Sequence, residues 1–340
     1  MLNFLYAHIA QARRRRSGRM GYQRRLRRPV ISIGNLRVGG SGKTPTVAFV
    51  TRLLAGMGEH PAVLSRGYAR QHALDGVVVV SDGVRLRADL GASGDEPLML
   101  ARSIPGAAVL VSRDRFLAGR LAEHHFGATV HVLDDGFQHL SLARDIDIVV
   151  VSSDDIADPR TLPGGRLREP LSAASAAGAL LVTDATDDQV RAIGERLQVP
   201  HVFTLSRIVQ PPRRLDAFAP DAPAKPGRRA LAIAGIARPE RFFLELVRDG
   251  WDLVGTLPFP DHHRYTARDV AAIARQARAA QATSLVTTEK DLMRLLPFRP
   301  LPLPLLWVPL SVTITPDVGF RSWLQQRLAD ARLPRGAVPC

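Results

Sequence analysis

The chain has 340 residues, which is long for a single hydrophobic core, so two domains are expected. Hydrophobic residues make up 46% and charged residues 23% of the sequence, as is ordinary for a globular protein. The single cysteine, Cys340, excludes an intrachain disulfide and is compatible with a reducing compartment.

The formal net charge of +14 is unevenly distributed, because nine arginines lie between Arg13 and Arg28, directly after the apolar segment 1–10. That segment is shorter than the ~20 apolar residues that span a bilayer, and a secretory signal would carry its charges before the apolar run. We predict that residues 1–28 form a helix and basic segment on an anionic membrane surface, with no nucleic-acid partner. A solvated helix and a nucleic-acid-binding segment are the alternatives. No other segment is long and apolar enough to be transmembrane.

Strand and helix patterns alternate from residue 29 to about residue 207. Strands are predicted at 29–34, 61–65, 77–81, 107–112, 129–134, 145–151, 179–183 and 201–205, and helices at 43–57, 95–103, 113–126 and 187–197. Many of these strands are apolar and β-branched, which is typical of strands covered by helices on both faces. The pattern predicts an α/β fold with a doubly wound, mostly parallel sheet, in a P-loop NTPase-like core at 29–207.

Residues 208–228 contain five prolines and little periodicity, so we predict a linker there. A second, smaller α/β domain is predicted at 229–331, followed by a tail at 332–340. Its strands are predicted at 229–235, 252–256, 283–288 and 304–309, and its helices at 238–249, 266–280 and 317–331.

The most informative motif is the glycine-rich segment between the first predicted strand and helix. It comprises Gly39, Gly40, Ser41, Gly42, Lys43, Thr44 and Pro45. Backbone N–H groups of such a loop surround phosphate oxygens, and the helix N-terminus favours the negative charge. Lys43 would reach the β- and γ-phosphates of ATP, and the Thr44 hydroxyl would bind Mg²⁺. The usual pattern has Gly where this chain has Arg37, and a glycine-rich turn that caps a helix is the alternative.

Lysine is rare in this chain, since only three of the 46 basic residues are lysines, and one of them is Lys43. A compact ammonium on a flexible stem differs chemically from a guanidinium. Its presence in the loop therefore supports the phosphate-binding interpretation.

Carboxylates occur where catalysis would need them. Asp134 and Asp135 end an apolar strand, and a strand-end Asp beside a phosphate loop usually holds the nucleotide's Mg²⁺, although an Asp-Asp-Gly turn is the alternative. Asp95 and Glu96 precede an apolar helix, so they would either cap it or accept a proton from a substrate hydroxyl. The segment Asp261-His262-His263 is equally open and adds metal binding as a third option. A zinc site is disfavoured, because no cysteine and few clustered histidines could complete it.

Three strand-end or loop segments are rich in arginine and could clamp phosphate. They contain Arg66, Arg113 and Arg168. In so arginine-rich a chain, a solvated surface residue is the simpler explanation for any one of them.

Together these motifs resemble those of the tetraacyldisaccharide 4'-kinase family, the lipid A 4'-kinases. The resemblance extends from the N-terminal helix to about residue 330, and this family's loop is atypical at the position of Arg37. It is carried by Gly34-Asn35, the glycine-rich segment, Leu64-Ser65-Arg66-Gly67-Tyr68, Gly94-Asp95-Glu96-Pro97, Leu133-Asp134-Asp135-Gly136-Phe137-Gln138-His139, Leu167-Arg168-Glu169-Pro170, Asp261-His262-His263 and Thr287-Thr288-Glu289-Lys290-Asp291.

The resemblance implies transfer of the ATP γ-phosphate to the 4'-hydroxyl of a tetraacylated glucosamine disaccharide 1-phosphate. The product would be lipid IVA, made at the cytoplasmic face of a Gram-negative inner membrane, and no required protein partner is evident. By matching motif positions, Asp95 would be the base, paired with His262 from the second domain. Lys43 and Thr44 would hold phosphate and Mg²⁺. Asp134, Asp135 and Glu169 would order the metal, and Arg113 and Arg168 would contact phosphates or lipid. The division of roles among Asp134, Asp135, Glu96 and Glu169 is left open.

Other nucleotide-binding classes fit less well. A partitioning or targeting ATPase would carry a lysine where this chain has Val38. A GTPase would separate the lysine and aspartate of its base-reading motif by one residue, whereas Lys290 and Asp291 are adjacent. A non-enzymatic membrane or nucleic-acid binder would not explain Lys43, Thr44 and Asp134 together.

Overall fold

The computed structural model describes residues 12, 14, 16, 23–39, 42–68, 70, 72, 75–215, 222–223 and 229–333. Most of the predicted N-terminal segment 1–28, the loop residues Gly40 and Ser41, and much of the predicted linker and tail lie outside these residues. None of the helices in this part of the chain combines the length and apolar character that a bilayer crossing requires.

The strands fall into two sheets. The larger contains β1 (Val30–Asn35), β2 (Pro61–Ser65), β3 (Val78–Asp82), β4 (Ala108–Val111), β5 (Val130–Asp134), β6 (Ile146–Ser152), β7 (Ala179–Thr183), β8 (Val202–Val209) and β15 (Leu310–Thr315). The smaller contains β9 (Arg213–Arg214), β10 (Ala222–Pro223), β11 (Ala230–Ala234), β12 (Leu253–Pro258), β13 (Ser284–Thr288) and β14 (Leu305–Val308).

The helices lie between these strands. They are α1 (Lys43–Gly56), α2 (Leu90–Ser93), α3 (Asp95–Ser103), α4 (Arg115–His125), α5 (Ser153–Ala157), α6 (Asp187–Leu197), α7 (Pro239–Arg248), α8 (Ala267–Ala279), α9 (Glu289–Leu295) and α10 (Asp317–Arg332). Short 3₁₀ helices lie at Leu171–Ala176 and Leu296–Phe298.

The larger sheet has the strand order β15-β8-β7-β6-β1-β5-β2-β4-β3. Its pairs are parallel except at the two edges, where β3 pairs with β4 and β15 with β8 in antiparallel fashion. The predicted doubly wound, mostly parallel sheet is therefore confirmed. Strand β1 lies between β5 and β6, so the sheet changes direction of winding at the carboxyl end of β1, where ligands bind in such folds.

Helices cover both faces of this sheet, which explains the continuous apolar strands. All six residues of β1 are buried, with Ile31 and Ile33 in the same core cluster as Val47 and Val50 of α1. On the opposite face, Val30 packs in a cluster with alanines of α4. Alternate residues of a strand point to opposite faces, so both sets must be apolar.

The smaller sheet has the order β10-β9-β14-β13-β11-β12, and its central pairs are parallel. Helix α9, which follows β13, packs against α3 of the larger sheet, and both contribute to one hydrophobic cluster. The packing of α9 on α3 places the loops after β11 and β12 beside the first turn of α3.

The chain returns to the larger sheet after β14. Strand β15 pairs with β8 from Leu310↔Val209 to Thr315↔Thr204. In α10, Phe320 lies 5.2 Å from Phe203 of β8 between ring centroids. The domain boundaries at 207, 228 and 331 stay a proposal, but the last strand and helix of the predicted second domain pack with the first sheet.

Several short elements were not predicted, namely α2, α5, α9, β9, β10 and β15. The first three have four to seven residues, too few for a helical period to emerge from the sequence. Only Pro309 separates β15 from β14, so the two strands appear in the sequence as one apolar stretch. The predicted strand 201–205 extends to Val209, inside the predicted linker.

Candidate active site

The phosphate loop lies at the carboxyl end of β1. Gly39 has φ 95° and Gly42 has φ 84°, a left-handed region that favours glycine. Helix α1 begins at Lys43, and Gly42 has no side chain that could cap its first-turn N–H groups. These groups and the helix dipole therefore form an anion site of the predicted kind, with Pro45 in the first turn, where its missing N–H has no consequence.

Lys43 lies in a polar cluster with Asn35, Asp135 and Arg168, and only Asn35 had no predicted role. Its ammonium donates to the side-chain oxygen of Asn35 at 3.0 Å and lies 3.5 Å from Asp135. Arg168 donates to both carboxylate oxygens of Asp135, at 2.9 and 2.8 Å, and to Asn35 at 2.6 Å. Burial raises the pKa of Asp135, but the Arg168 hydrogen bonds and the Lys43 charge outweigh it and lower this pKa to about 2. Asp135 thus stays ionised and holds both cations beside the loop.

Asp134 ends β5 directly opposite Ile33 of β1. It is buried, and its carboxylate accepts a hydrogen bond of 3.0 Å from Ser65. Burial and the nearby carboxylates of Glu96 and Asp135 raise its pKa. Burial and these carboxylates outweigh the charge of Lys43, so further positive charge would stabilise ionised Asp134, and a divalent cation would supply it.

The oxygen donors Thr44, Asp134 and Asp135 fit Mg²⁺, which takes one or two protein carboxylates together with phosphate oxygens and water. Within the described ranges, no three His, Cys, Asp or Glu side chains converge on one metal position. Glu169 is accordingly not brought into this group. Its carboxylate accepts from Arg14 at 2.8 and 3.0 Å, and the Arg14 guanidinium lies 4.0 Å from the centre of the Phe137 ring.

The second half of the site is built around Asp95, the first residue of α3. It follows Gly94 at φ 84°, where an added Cβ would lie 2.7 Å from the Tyr68 carbonyl oxygen. Asp95 is 5% exposed, and its Oδ2 lies 3.3 Å from Nδ1 of His262. Arg294 of α9 donates to the same oxygen from Nε at 3.0 Å and also from Nη2. Asp95 and His262 are therefore in contact across the two sheets.

His262 lies in the loop after β12 with φ 59°, a conformation uncommon for residues other than glycine. Its ring packs edge-on against Tyr68, with 5.6 Å between centroids. Burial raises the pKa of Asp95, but the His262 hydrogen bond and the charges of Arg294 and Lys290 lower it well below its usual range. The carboxylate is therefore ionised at neutral pH.

A cavity of about 1130 Å³ joins the two halves. Its lining includes most of the predicted site residues that the structure describes. Asp95 is not part of the lining, but it contacts His262, which is. The predicted residues in the lining are Gly39, Gly42, Lys43, Thr44, Pro45, Arg113, Asp134, Asp135, Arg168 and His262.

One wall of the cavity is strongly cationic. Arg66, Arg113 and Arg115 line it, and Arg115 is buried, so that desolvation and the charge of Arg66 lower its pKa to about 10. Burial and the charge of Arg115 likewise lower the pKa of His139 to about 4. This wall is suited to an anionic group of a ligand.

Two residues of the site were missed from the sequence. Asn35 was quoted within a motif without a role, and its position as the last residue of β1 is the signal that could have found it. Arg294 has no such signal, because its partner Asp95 lies 199 positions away in the chain.

A strand, a glycine loop and a helix that begins with Lys-Thr, together with strand-end carboxylates, define a P-loop kinase. The family model described as tetraacyldisaccharide-1-P 4'-kinase (LpxK) matches residues 1–329. The chain belongs to this family.

Individual relatives agree with this assignment. A tetraacyldisaccharide 4'-kinase of Koribacter versatilis is 43% identical over 279 residues, which cover 80% of each chain. One of Bradyrhizobium sp. is 39% identical over 336 residues, 97% of this chain and 91% of the relative. The solved structure of LpxK from Aquifex aeolicus in complex with ATP has a TM-score of 0.78 at 28% identity and covers 96% of this chain and 97% of its own. These matches support the kinase interpretation and not the partitioning ATPase.

Proposed function

We propose that this kinase transfers the γ-phosphate of ATP to the 4'-hydroxyl of a tetraacylated glucosamine disaccharide 1-phosphate and so forms lipid IVA. The observation that carries the proposal is that the phosphate loop and His262, which contacts Asp95, line one cavity. A nucleotide phosphate and a sugar hydroxyl can be brought together there.

ATP would place its phosphates on the loop 39–44, with Lys43 at the β- and γ-phosphates. The Aquifex aeolicus relative was solved in complex with ATP, which supports ATP as the nucleotide. Thr44, Asp134 and Asp135 would hold Mg²⁺, which supplies neutralisation of phosphate charge when bound. Arg168 fixes Asp135 and Asn35, so the position of Lys43 depends on it.

The Asp95–His262 pair would accept the proton of the 4'-hydroxyl. As the hydroxyl oxygen bonds to the γ-phosphorus, the bond to the β–γ bridging oxygen breaks, ADP leaves, and the proton passes to the pair. Arg113 would contact the phosphate or lipid of the acceptor from the cationic wall. Glu169 would order the metal only after parting from Arg14, which occupies its carboxylate in the structure.

The protein would act at the cytoplasmic face of the inner membrane. The apolar segment 1–10 would lie on anionic lipid, where the acyl chains of the substrate remain in the bilayer. Arginines after it would join this contact, apart from Arg14, Arg24 and Arg25, which pair with carboxylates of the protein. No protein partner is required by this proposal.

The test is phosphate transfer from ATP with and without the disaccharide 1-phosphate in detergent micelles. We expect ATP consumption that depends on the acceptor and yields a 4'-phosphorylated product by mass spectrometry. Lys43→Ala should lower transfer by about 10²-fold or more, because γ-phosphate charge is no longer neutralised. Arg321→Ala, an exposed change on α10, is the matched control. ATP hydrolysis that ignores the acceptor would contradict the proposal.

A further inference from the structure

Helix α9 of the smaller sheet presents two cations to the first turn of α3. Lys290 lies 2.7 Å from Glu96, and Arg294, one helical turn later, is paired with Asp95. Residues four apart lie on one face of a helix, so both contacts belong to a single docking face of α9. The acceptor carboxylate is thereby tied to the second sheet by a residue outside the predicted site.

Arg294 is itself fixed in place within the smaller sheet. It is 6% exposed, and its Nη1 donates to the Gly235 carbonyl at 2.9 Å and to Asp291 at 3.2 Å. Asp291 is fully buried and accepts three further hydrogen bonds. These come from the Gly235 N–H at 2.9 Å, Tyr265 at 3.1 Å and Thr288 at 2.7 Å. The guanidinium therefore has one orientation, set by buried partners.

The other side chains that contact the Asp95 carboxylate meet it at one oxygen, Oδ2. Oδ2 receives Arg294 and lies near His262 Nδ1, whereas Oδ1 accepts from the Glu96 backbone N–H at 3.0 Å. Nη2 of Arg294 also lies 3.2 Å from His262 Nδ1. Arg294 thus touches both members of the pair and sets their mutual orientation.

We propose that Arg294 is the positioning residue of the phosphate acceptor site: from helix α9, docked on α3, it holds Asp95 oriented against His262. The inference rests on the proposed function of the Asp95–His262 pair. Charged groups that face Asp95 are His262 from the β12 loop, Lys290 and Arg294 from α9, and Glu96 from α3 itself, with Asp291 behind Arg294.

The same charges decide which measurement can test this role. Burial raises the pKa of Asp95, but the His262 hydrogen bond and the charges of Arg294 and Lys290 keep it well below its usual range, so the wild-type carboxylate is ionised throughout the neutral region. Asp95 therefore does not titrate in the pH range of a kinase assay. The test of Arg294 is kcat at fixed pH and its rescue by lysine.

The experiment compares kcat and the KM for ATP of Arg294→Met and Arg294→Lys with those of wild type near neutral pH. For Arg294→Met we expect kcat to fall about tenfold or more, the KM for ATP to change less than about twofold, and Arg294→Lys to restore kcat in part. In an Asp95→Asn background, Arg294→Met should change kcat less than about twofold, because the group it positions is already lost. Arg144→Met, which removes another largely buried arginine paired at 2.9 Å with Asp147, should lower Tm while kcat changes less than about twofold.

A folded Arg294→Met enzyme whose kcat stays within about twofold of wild type would overturn the inference while leaving the proposed function intact. A wild-type enzyme without phosphate transfer would instead overturn the function. In that case the contact can still be tested without activity, by a double-mutant cycle of Asp95→Asn and Arg294→Met that measures the free energy of unfolding in denaturant. Coupling supports Arg294 as the holder of Asp95, and additive losses refute it.

Discussion

The Asp95–His262 contact makes a quantitative prediction for the removal of either member or both. The two side chains are 3.3 Å apart and would share one proton-accepting task. Loss of general-base catalysis costs about 10² to 10⁴ in rate. At 1.36 kcal/mol for each tenfold change, this is about 3 to 5 kcal/mol of transition-state stabilisation. We expect Asp95→Ala and His262→Ala each to lower kcat within this range, with smaller effects on the KM for ATP.

Because the pair acts as one unit, the double variant should have a kcat close to that of the slower single variant. If the residues acted independently, the losses would multiply, and the double variant would be slower by about 10⁴-fold or more. The difference between these outcomes is at least about two orders of magnitude in kcat, which a coupled assay for ADP release resolves.

The same variants separate catalysis from stability. Asp95→Ala removes one of the two carboxylates that pair with the buried Arg294 guanidinium. Breaking a buried ion pair costs about 3 to 5 kcal/mol, and the cost should be smaller here because Asp291 remains. The His262 side chain is 26% exposed, so His262→Ala should change Tm little. Because the pKa of Asp95 is lowered on folding, its contribution to stability is present above its unfolded pKa of about 3.9. It is lost as pH falls through the folded value. The Tm difference between wild type and Asp95→Ala should therefore be full at pH 7 and shrink only in strong acid.

The assay is a double-mutant cycle on kcat with Tm recorded for every variant. Multiplicative kinetic losses would refute the shared task. An Asp95→Ala enzyme with normal kcat and a lowered Tm would show that Asp95 only stabilises α3 and its contact with α9.

Three further predictions concern the loop, the C-terminal helix and the N-terminal segment. Thr44→Ala should lower phosphate transfer by about 10²-fold without lowering Tm, because it removes a metal-facing hydroxyl; near-normal turnover would contradict the assignment. Phe320→Ala should cost about 3 to 5 kcal/mol of unfolding free energy, since Phe320 is 0% exposed and packs against Phe203, whereas Val318→Ala at an exposed position of the same helix should cost less than about 0.5 kcal/mol. Deletion of residues 1–16 should weaken binding to anionic vesicles, and wild-type binding should fall with added salt; unchanged vesicle binding would favour a solvated helix.

Sequence patterns predicted the strands of the larger sheet well because those strands are buried on both faces. A run such as Ile146–Ser152 has few conformational alternatives once helices cover both of its sides. The loop residues Lys43 and Thr44 were also predictable, because their chemistry depends on neighbours in the chain. Features that depend on neighbouring residues in the chain, such as these strands and this loop, could therefore be predicted from the sequence.

The remaining features depend on contacts between distant segments. The addition of β15 to the edge of β8 joins positions about a hundred residues apart, and no local pattern encodes such a pairing. Arg14 and Glu169 are separated by 155 positions, so the sequence did not reveal that a basic N-terminal residue occupies this carboxylate. In a chain with many arginines, charge alone does not identify which ones are paired.

A carboxylate held ionised by Arg294, Lys290 and His262 is a weak base, which at first conflicts with a role in deprotonating a sugar hydroxyl. Phosphoryl transfer removes the conflict. Its transition state is loose, so catalysis rests mainly on positioning and charge stabilisation, and the attacking hydroxyl can keep its proton until its oxygen has begun to bond to phosphorus. The proton is then acidic enough for a carboxylate of low pKa. Orientation of Asp95 therefore matters more than its basicity, and a guanidinium fixed by buried partners on the second sheet provides that orientation.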